Sequence, residues 1–213
     1  MLGLRERQKA KRNGSILEAA STLFGQIGYE AARIDAIAEM AEVSVGTFYN
    51  YFETKADLLL AIVSMEVEEV LRRGAVVVDN PPSDPIAAMQ TLIATYYDHS
   101  LVWLTKEMWR TAMAMSIQHP ETPFSRRYRE LDQALCTQVK ALLLGLRDRG
   151  AIQPDVDVNA LGEMLFNDLN TAFTVFAMDK RQEMESLRNA VFARAAAVLG
   201  LVKVIAQIKP SST

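Results

Sequence analysis

The segment IDAIAEMAEVSVGTFYNYF, residues 34–52, contains two short helical patterns separated by a tight turn at residues 41–44. Ala38 is small at the point where the two helices would cross, and Ser44 is suited to cap the second helix through its hydroxyl oxygen. The apolar positions predicted to form the shared core are Ile37, Ala41, Val43, Phe48 and Phe52. This arrangement is typical of a helix-turn-helix, whose second helix enters the major groove of DNA.

Helical patterns continue on both sides of this segment. An earlier helix ends at Gly28, and a long helix begins after Thr54, with the run AVVV at residues 75–78 interpreted as its end. Proline-rich breaks occur at residues 79–85 and 119–123, and Asp84 before Pro85 predicts a capped helix start. The apolar stripe of the earlier helix is predicted to be Ile16, Ala20, Leu23 and Ile27.

Three later segments repeat apolar residues at steps of three and four, which predicts three amphipathic helices. No useful length of sequence alternates with period two, so the fold class is predicted to be all-α with about nine helices. We expect a three-helix domain at residues 1–54, a larger helical domain at 55–208 and a disordered tail at 209–213. The three stripes are Tyr128, Leu131, Leu135, Val139, Leu142 and Leu146; Val158, Leu161, Leu165, Leu169, Ala172 and Phe176; and Met184, Leu187, Val191, Ala195, Val198 and Val202.

Composition and charge limit the classes of protein to which this chain can belong. Half of the 213 residues are apolar, and the formal net charge of -3 provides no overall basic field for nucleic acid. Cys136 is the only cysteine, which rules out an internal disulfide and fits a reducing cytoplasm. No apolar run reaches the roughly 18 residues needed to cross a bilayer, and no hydrophobic signal core follows the basic N-terminus. We therefore expect a cytoplasmic protein without a membrane span.

The sequence predicts no catalytic site, metal site or cofactor. His99 and His119 are too few and too isolated to suggest metal binding. The adjacent Asp98 and His99 lack a recognisable nucleophile partner, so no catalytic function is assigned to them.

Many positions at fixed spacing extend the helix-turn-helix pattern, namely Gly28-Tyr29, Ile37-Ala38, Ala41, Val43-Ser44, Gly46-Thr47-Phe48-Tyr49, Phe52, Lys55 and Leu58. Through these positions, residues 12–60 closely resemble the N-terminal domain of the TetR family of bacterial transcriptional regulators. The resemblance implies a DNA-binding helix-turn-helix domain followed by a helical domain that binds a ligand and forms a dimer.

The second helix of the motif offers several kinds of contact with DNA. Gly46 would let the backbone approach a base edge, Val45 suits a thymine methyl, and Asn50 can pair with adenine. Ser44 begins the helix, whose positive dipole end and free N–H groups would point at a phosphate. Thr47 can contact a phosphate or a base. The full predicted set is Arg33, Ser44, Val45, Gly46, Thr47, Tyr49, Asn50, Tyr51 and Lys55.

The two tyrosines and Lys55 are predicted to contact phosphates, as their equivalents commonly do in the family. Lys55 lies in the first turn of its helix, which is unfavourable for the helix dipole, and a phosphate partner would explain it. The alternative is that Tyr49 is half-buried and that Lys55 is simply solvated.

The sequence also departs from the family pattern. Glu42 occupies a turn position that is often glycine, where a left-handed backbone costs a non-glycine residue about 1 kcal/mol. Ala32 and Arg33 replace paired threonines, so Arg33 is expected to reach a phosphate instead. Val45 replaces a frequent lysine, and Asp35 either reads a cytosine or stabilises the helix dipole.

Charge in this part of the chain is balanced rather than basic. Residues 5–57 hold seven basic and eight acidic side chains, a net charge of -1, which argues against tight non-specific DNA binding. Five of the basic residues lie within the first twelve positions. They would form either a flexible arm along a DNA groove or a solvated, disordered terminus.

The larger domain is expected to form a homodimer through the last two helices, which are rich in alanine and glycine. These small residues are Ala172, Ala190, Ala193, Ala195, Ala196, Ala197 and Gly200. The methionine and aromatic residues of the larger domain suggest either a ligand pocket or a plain core. The resemblance favours the pocket. The predicted ligand-binding residues are Trp103, Trp109, Met113, Phe124, Tyr128, Phe166, Asn170 and Phe173.

These patterns predict a homodimeric repressor that reads a palindromic operator on double-stranded DNA. A small, largely apolar or aromatic effector would release it by changing the half-site spacing through the helix at residues 55–74. One alternative is a helical small-molecule-binding protein or enzyme that keeps the N-terminal fold without reading DNA. Another is a protein-interaction module that accepts a partner helix in a groove.

Overall fold

The computed structural model describes residues 3–204, which form nine α-helices and no strand longer than an isolated bridge between Ile152 and Lys203. This confirms the all-α prediction. The helices are α1 (Leu4–Ile27), α2 (Ile34–Met40), α3 (Val45–Tyr49), α4 (Lys55–Asp79), α5 (Pro85–His99), α6 (Lys106–Gln118), α7 (Pro123–Asp148), α8 (Val158–Met178) and α9 (Met184–Val202).

Helix starts follow the capping residues in the sequence. Thr54 and Asp57 form a reciprocal capping box, with the Asp57 N–H donating to Thr54 Oγ1 at 3.1 Å. Asp84 caps α5 by accepting from the Ala87 N–H at 3.1 Å, and Pro85 occupies the first helical position as predicted. The run at residues 75–78 continues α4, which ends at Asp79.

Helix α4 is central to the fold, because it packs against both α5 and α7, while α8 packs on α7 and α9 on α5. Helices α7 and α8 approach closely at Gly162, where an added Cβ would lie only 3.1 Å from the Cα of Lys140. Most predicted stripe positions of α7, α8 and α9 are buried or partly buried. Ile27 is an exception in α1, since it is 52% exposed at the last residue of the helix.

The basic N-terminal segment is helical, so it forms neither the flexible arm nor the disordered terminus that was predicted. Residues 5–12 continue α1 because they are nearly all good helix formers, and Glu6 accepts from the Gly3 N–H at 3.0 Å. Their side chains are exposed. The predicted disordered tail at 209–213 and residues 205–208 of the predicted second domain lie outside the described residues.

None of the helices within residues 3–204 combines the length and apolar content needed to cross a bilayer.

Candidate functional site

The turn between α2 and α3 has the geometry that the sequence pattern predicts. The Val43 N–H donates to Ala38 O at 2.9 Å, and Glu42 adopts a left-handed φ of 55°. Ser44 caps α3, because its Oγ accepts from the Thr47 N–H at 3.0 Å. The glutamate at position 42 therefore keeps the left-handed backbone although it bears the strain that glycine would avoid.

Helix α3 separates its residues into a buried and an exposed side. Phe48 is completely buried, whereas Val45 is 42% exposed and Tyr49 is 51% exposed. Gly46 is open to solvent, since an added Cβ would meet no atom closer than Ser44 Oγ at 3.9 Å. Asn50 is exposed beside them. The predicted base-reading residues thus share one accessible surface.

The aromatic residues of the motif are held in place by packing. Phe48 contacts the ring of Tyr49 edge-to-face at 5.6 Å and the ring of Phe52 at 6.0 Å. Phe52 is buried, as predicted, and Tyr51 is half-buried. The Tyr49 ring is therefore oriented by the core while much of its surface stays accessible.

Arg33 and Asp35 form an exposed ion pair at the start of α2. Arg33 donates through Nε at 3.1 Å and through Nη2 at 2.9 Å, and these bonds lower the pKa of Asp35. Asp35 also accepts from the Ala36 N–H at 3.0 Å. The pair explains both side chains without a phosphate contact for Arg33 or a cytosine contact for Asp35. Both side chains nevertheless remain accessible to a partner.

Lys55 has a protein partner that the sequence analysis did not identify. Its ammonium donates to Tyr29 O at 2.9 Å and to Glu30 O at 3.1 Å, and it lies 4.8 Å from the centre of the Tyr29 ring. These carbonyls belong to the segment that follows α1. A phosphate is therefore unnecessary to explain a lysine in the first turn of α4.

The segment after α1 is also attached to the larger helical region. Glu107, in the first turn of α6, accepts from the Tyr29 N–H at 3.1 Å. Gly28 has a φ of 86°, and an added Cβ there would lie 2.9 Å from Glu107 Oε1. Ser21 Oγ donates to Trp103 O at 2.6 Å. The start of α6 thus holds the helix-turn-helix region through short contacts.

A cavity of about 80 Å³ lies among helices α4 to α8. Its wall is mostly apolar and aromatic, with Glu66, Asp132 and Asn170 among its polar groups. Six of the eight predicted ligand-binding residues line it: Trp109, Met113, Tyr128, Phe166, Asn170 and Phe173.

The other two predicted residues, Trp103 and Phe124, lie outside this lining. Trp103 precedes α6 and contributes its carbonyl to the contact with Ser21. Phe124 is buried behind the wall, where its ring stacks on Tyr128 at 6.4 Å. Sequence spacing placed them near the cavity but could not show which side each faces.

Glu66 lines the cavity although the sequence did not predict it there. It is buried, and its Oε1 lies 2.6 Å from His99 Nδ1. Within residues 3–204, Oε2 is the only buried side-chain nitrogen or oxygen that lacks a hydrogen-bond partner. The signal was available, because Glu66 interrupts an apolar stripe that includes Val63 and Val70.

Burial raises the pKa of Glu66, since a charged carboxylate loses hydration there. The hydrogen bond with His99 lowers that pKa in part, as do the nearby Trp103 N–H and the charge of Arg73. The Trp103 N–H makes no hydrogen bond to Oε2. Burial likewise raises the pKa of Asp132, while Asn170 Nδ2, at 3.2 and 3.3 Å from its two oxygens, opposes the rise.

Helices α8 and α9 leave apolar and small residues exposed at helical spacing. Val175 is 51% exposed on α8, and Leu201 is 80% exposed on α9. Ala195, which was predicted to belong to the dimer surface, is instead buried in the core. The uncharged residues exposed at this spacing are Ala160, Met164, Asn167, Thr171, Val175 and Met178 on α8, and Ala190, Ala193, Ala197, Gly200 and Leu201 on α9.

Comparison with known proteins identifies the first part of the chain. Residues 16–62 match a family model described as bacterial regulatory proteins, tetR family. The chain is 40% identical over 88 residues to the HTH-type transcriptional repressor KstR of Rhodococcus jostii, covering 41% of this chain and 39% of that repressor.

Two further relatives extend over most of the chain. The fatty acid metabolism regulator protein of Bacillus subtilis is 20% identical over 186 residues, covering 87% of this chain and 94% of its own length. The crystal structure of Thermus thermophilus FadR with lauroyl-CoA superimposes with a TM-score of 0.64 at 20% identity, covering 94% of this chain and all of the other. At such identity the likeness shows the shared fold.

Proposed function

We propose that this chain, which belongs to the TetR family of bacterial regulatory proteins, is a homodimeric transcriptional repressor released from DNA by a small ligand. The main observation is the exposed side of α3, where Val45, Gly46, Tyr49 and Asn50 are accessible above a buried Phe48. Repression as the mode of regulation is supported by relatives whose names describe them as repressors. We also propose the division at residues 54 and 55, which coincides with the start of α4.

The proposed base contacts come from the open part of α3. Gly46 allows close approach of the backbone, Val45 offers a methyl contact, and Asn50 offers both a donor and an acceptor. Thr47 is half-buried and its hydroxyl lies 2.8 Å from that of Ser44, so these two residues contribute fewer free groups.

Phosphate contacts are assigned to residues around this surface. The Tyr49 and Tyr51 hydroxyls are suited to phosphate oxygens and would set the position of α3 without reading bases. Arg33 adds an accessible cation, because its pair with Asp35 is exposed. The basic first part of α1 supplies five more exposed cations on one helix, at positions 5, 7, 9, 11 and 12.

The proposed dimer surface is the exposed face of α8 and α9. Several exposed apolar side chains at helical spacing on two neighbouring helices are typical of an interface. Small side chains such as Ala193 and Ala197 let two copies of the helices approach closely. A two-fold dimer would present two α3 helices to half-sites related by the same symmetry.

The cavity is proposed as the effector site because it touches both connections to the DNA-binding region. Helix α4 runs from Lys55, beside the helix-turn-helix, to Val63 and Glu66 in the cavity wall. Helix α6 carries Trp109 and Met113 in the wall and Glu107 at the contact with Tyr29. A ligand that displaces either helix would shift the positions of the two α3 helices.

Selection of bound sequences from a random duplex pool tests DNA binding. The expected product is an inverted repeat whose half-sites lie about 34–36 Å apart or more. Gly46→Glu should abolish enrichment because it places an anion against the duplex. Gly145→Glu on α7 is the matched control, since an added side chain there also meets open space.

An enriched repeat that survives Gly46→Glu would remove α3 from the interface. No enrichment with the unaltered protein would instead support the alternative of a helical small-molecule-binding protein that does not read DNA.

A further inference from the structure

We propose that the cavity binds a compact, largely apolar molecule carrying a hydrogen-bond donor, such as a single-ring amine or alcohol, and that it discriminates against carboxylates. This inference rests on the proposal that the cavity is the effector site. It concerns binding in the absence of DNA, so it can be tested separately from operator recognition.

The first argument is the free acceptor on Glu66. A separation of 2.6 Å between Glu66 Oε1 and His99 Nδ1 requires a proton between them, whichever of the two atoms holds it. As long as no second proton lies on Oε2, that oxygen is a free acceptor in either arrangement. Because Oε2 is buried without a partner in the cavity wall, a donor from a ligand would recover the hydrogen bond that it lacks.

The second argument is that most donors in the wall are already engaged. The Trp109 indole N–H donates to Ser100 O at 2.7 Å, and the Tyr97 hydroxyl donates to Leu169 O at 2.8 Å. Ser100 Oγ donates to Tyr97 O at 2.8 Å, and the Tyr96 hydroxyl donates to Gln138 Oε1 at 2.8 Å. An anionic ligand would therefore find few free N–H or O–H groups.

The third argument is charge. Among the described residues, the cavity lining contains the carboxyl groups of Glu66 and Asp132 but no lysine, arginine or histidine. A ligand carboxylate would lose its hydration beside two acidic groups. The Tyr128 hydroxyl is the donor left to it, because the Asn170 amide already donates to Asp132. An ammonium group would meet acceptors instead.

The fourth argument is size. A cavity of about 80 Å³ is smaller than the roughly 150 Å³ apolar cavity known to hold benzene, so a single ring already requires some adjustment. Met113, which is flexible and only partly buried, can supply this adjustment by changing rotamer. A long chain would require the helices themselves to separate.

The test compares three probes that share one ring: benzylamine, benzyl alcohol and benzoate. Each is titrated into the full chain without DNA at pH 7.5, by calorimetry and by the fluorescence of Trp109 in the cavity wall. Benzylamine and benzyl alcohol should bind at least about tenfold more tightly than benzoate, since one unpaired buried group is worth at least that factor.

Two variants test whether Glu66 provides the acceptor. The double change Glu66→Leu and His99→Leu replaces both members of the pair with apolar groups, which limits the damage to the core. Affinity for benzylamine should fall about tenfold or more, while toluene should bind at least as well as before. Glu68→Leu is the matched control, because Glu68 lies two positions away in an exposed ion pair with Arg127.

Glu66→Gln provides a second measurement should the double variant fold poorly, and the expected result is a smaller loss of benzylamine affinity. Tighter binding of benzoate than of benzylamine would overturn the inference, as would the absence of binding by all three probes. Unchanged benzylamine affinity in both Glu66 variants would show that Oε2 is not the acceptor.

Discussion

Replacing Lys55 with methionine distinguishes a structural role from a role in binding DNA. The ammonium makes hydrogen bonds of 2.9 and 3.1 Å to the carbonyls of Tyr29 and Glu30, and it also lies over the Tyr29 ring. Methionine keeps most of the apolar stem and removes the charge. The carbonyls of Tyr29 and Glu30, in the segment after α1, then depend on water for these hydrogen bonds.

The expected loss of stability follows from these contacts. Two charge-assisted hydrogen bonds that are partly exposed contribute about 2 kcal/mol together, and the contact with the ring adds about 0.5 kcal/mol. For a chain of this length, each kcal/mol lowers the melting temperature by about 2–4 °C. Lys55→Met should therefore melt about 5–10 °C below the unaltered protein.

Scanning calorimetry without DNA measures this change, and Lys180→Met is the control because Lys180 is exposed. The control should alter the unfolding free energy by less than about 0.5 kcal/mol. Operator affinity is then measured at several salt concentrations. A phosphate contact would lower the salt slope of the dimer by about 2, whereas the structural role leaves the slope unchanged.

A reduced slope with an unchanged melting temperature would show that Lys55 contacts a phosphate and does not stabilise the fold.

Three other changes test separate parts of the molecule. Glu42→Gly should raise the unfolding free energy measured in urea by up to about 1 kcal/mol, since its φ of 55° is strained for glutamate; a loss of stability would contradict this. Val175→Glu should convert the dimer to monomer in analytical ultracentrifugation, whereas Val76→Glu, at a position 66% exposed on α4, should not. Burial raises the pKa of Asp132 in the folded state, so stability from this group is highest below its unfolded pKa and is lost as pH rises through the folded pKa. Asp132→Asn should therefore be more stabilising at pH 8 than at pH 4 in urea denaturation, and an equal effect at both would exclude the linkage.

Several parts of the candidate site could be predicted because they depend on nearby residues. Ser44 caps α3 and Thr54 caps α4 through bonds to residues three positions away, and Phe48 and Phe52 are buried through their spacing. Six residues of the cavity wall were also recognisable, since aromatic and methionine residues at helical spacing indicate one face of a helix. Trp103 and Phe124 lie outside the cavity lining, because composition does not define the direction in which a side chain points.

The sequence alone therefore determined the helices, their caps, the helix-turn-helix and the family, because these depend on local hydrogen bonding and on apolar spacing along one helix. Tertiary structure alone decided the partners of Lys55 and Glu66. Lys55 meets Tyr29 across 26 positions, and Glu66 meets His99 across 33. Such pairs form only when helices pack, because the chain between them contains no pattern that specifies which side chains come within 3 Å. Packing thus gives Lys55, which is predicted to bind phosphate, a contact within the chain, and it places the buried Glu66 in the cavity wall.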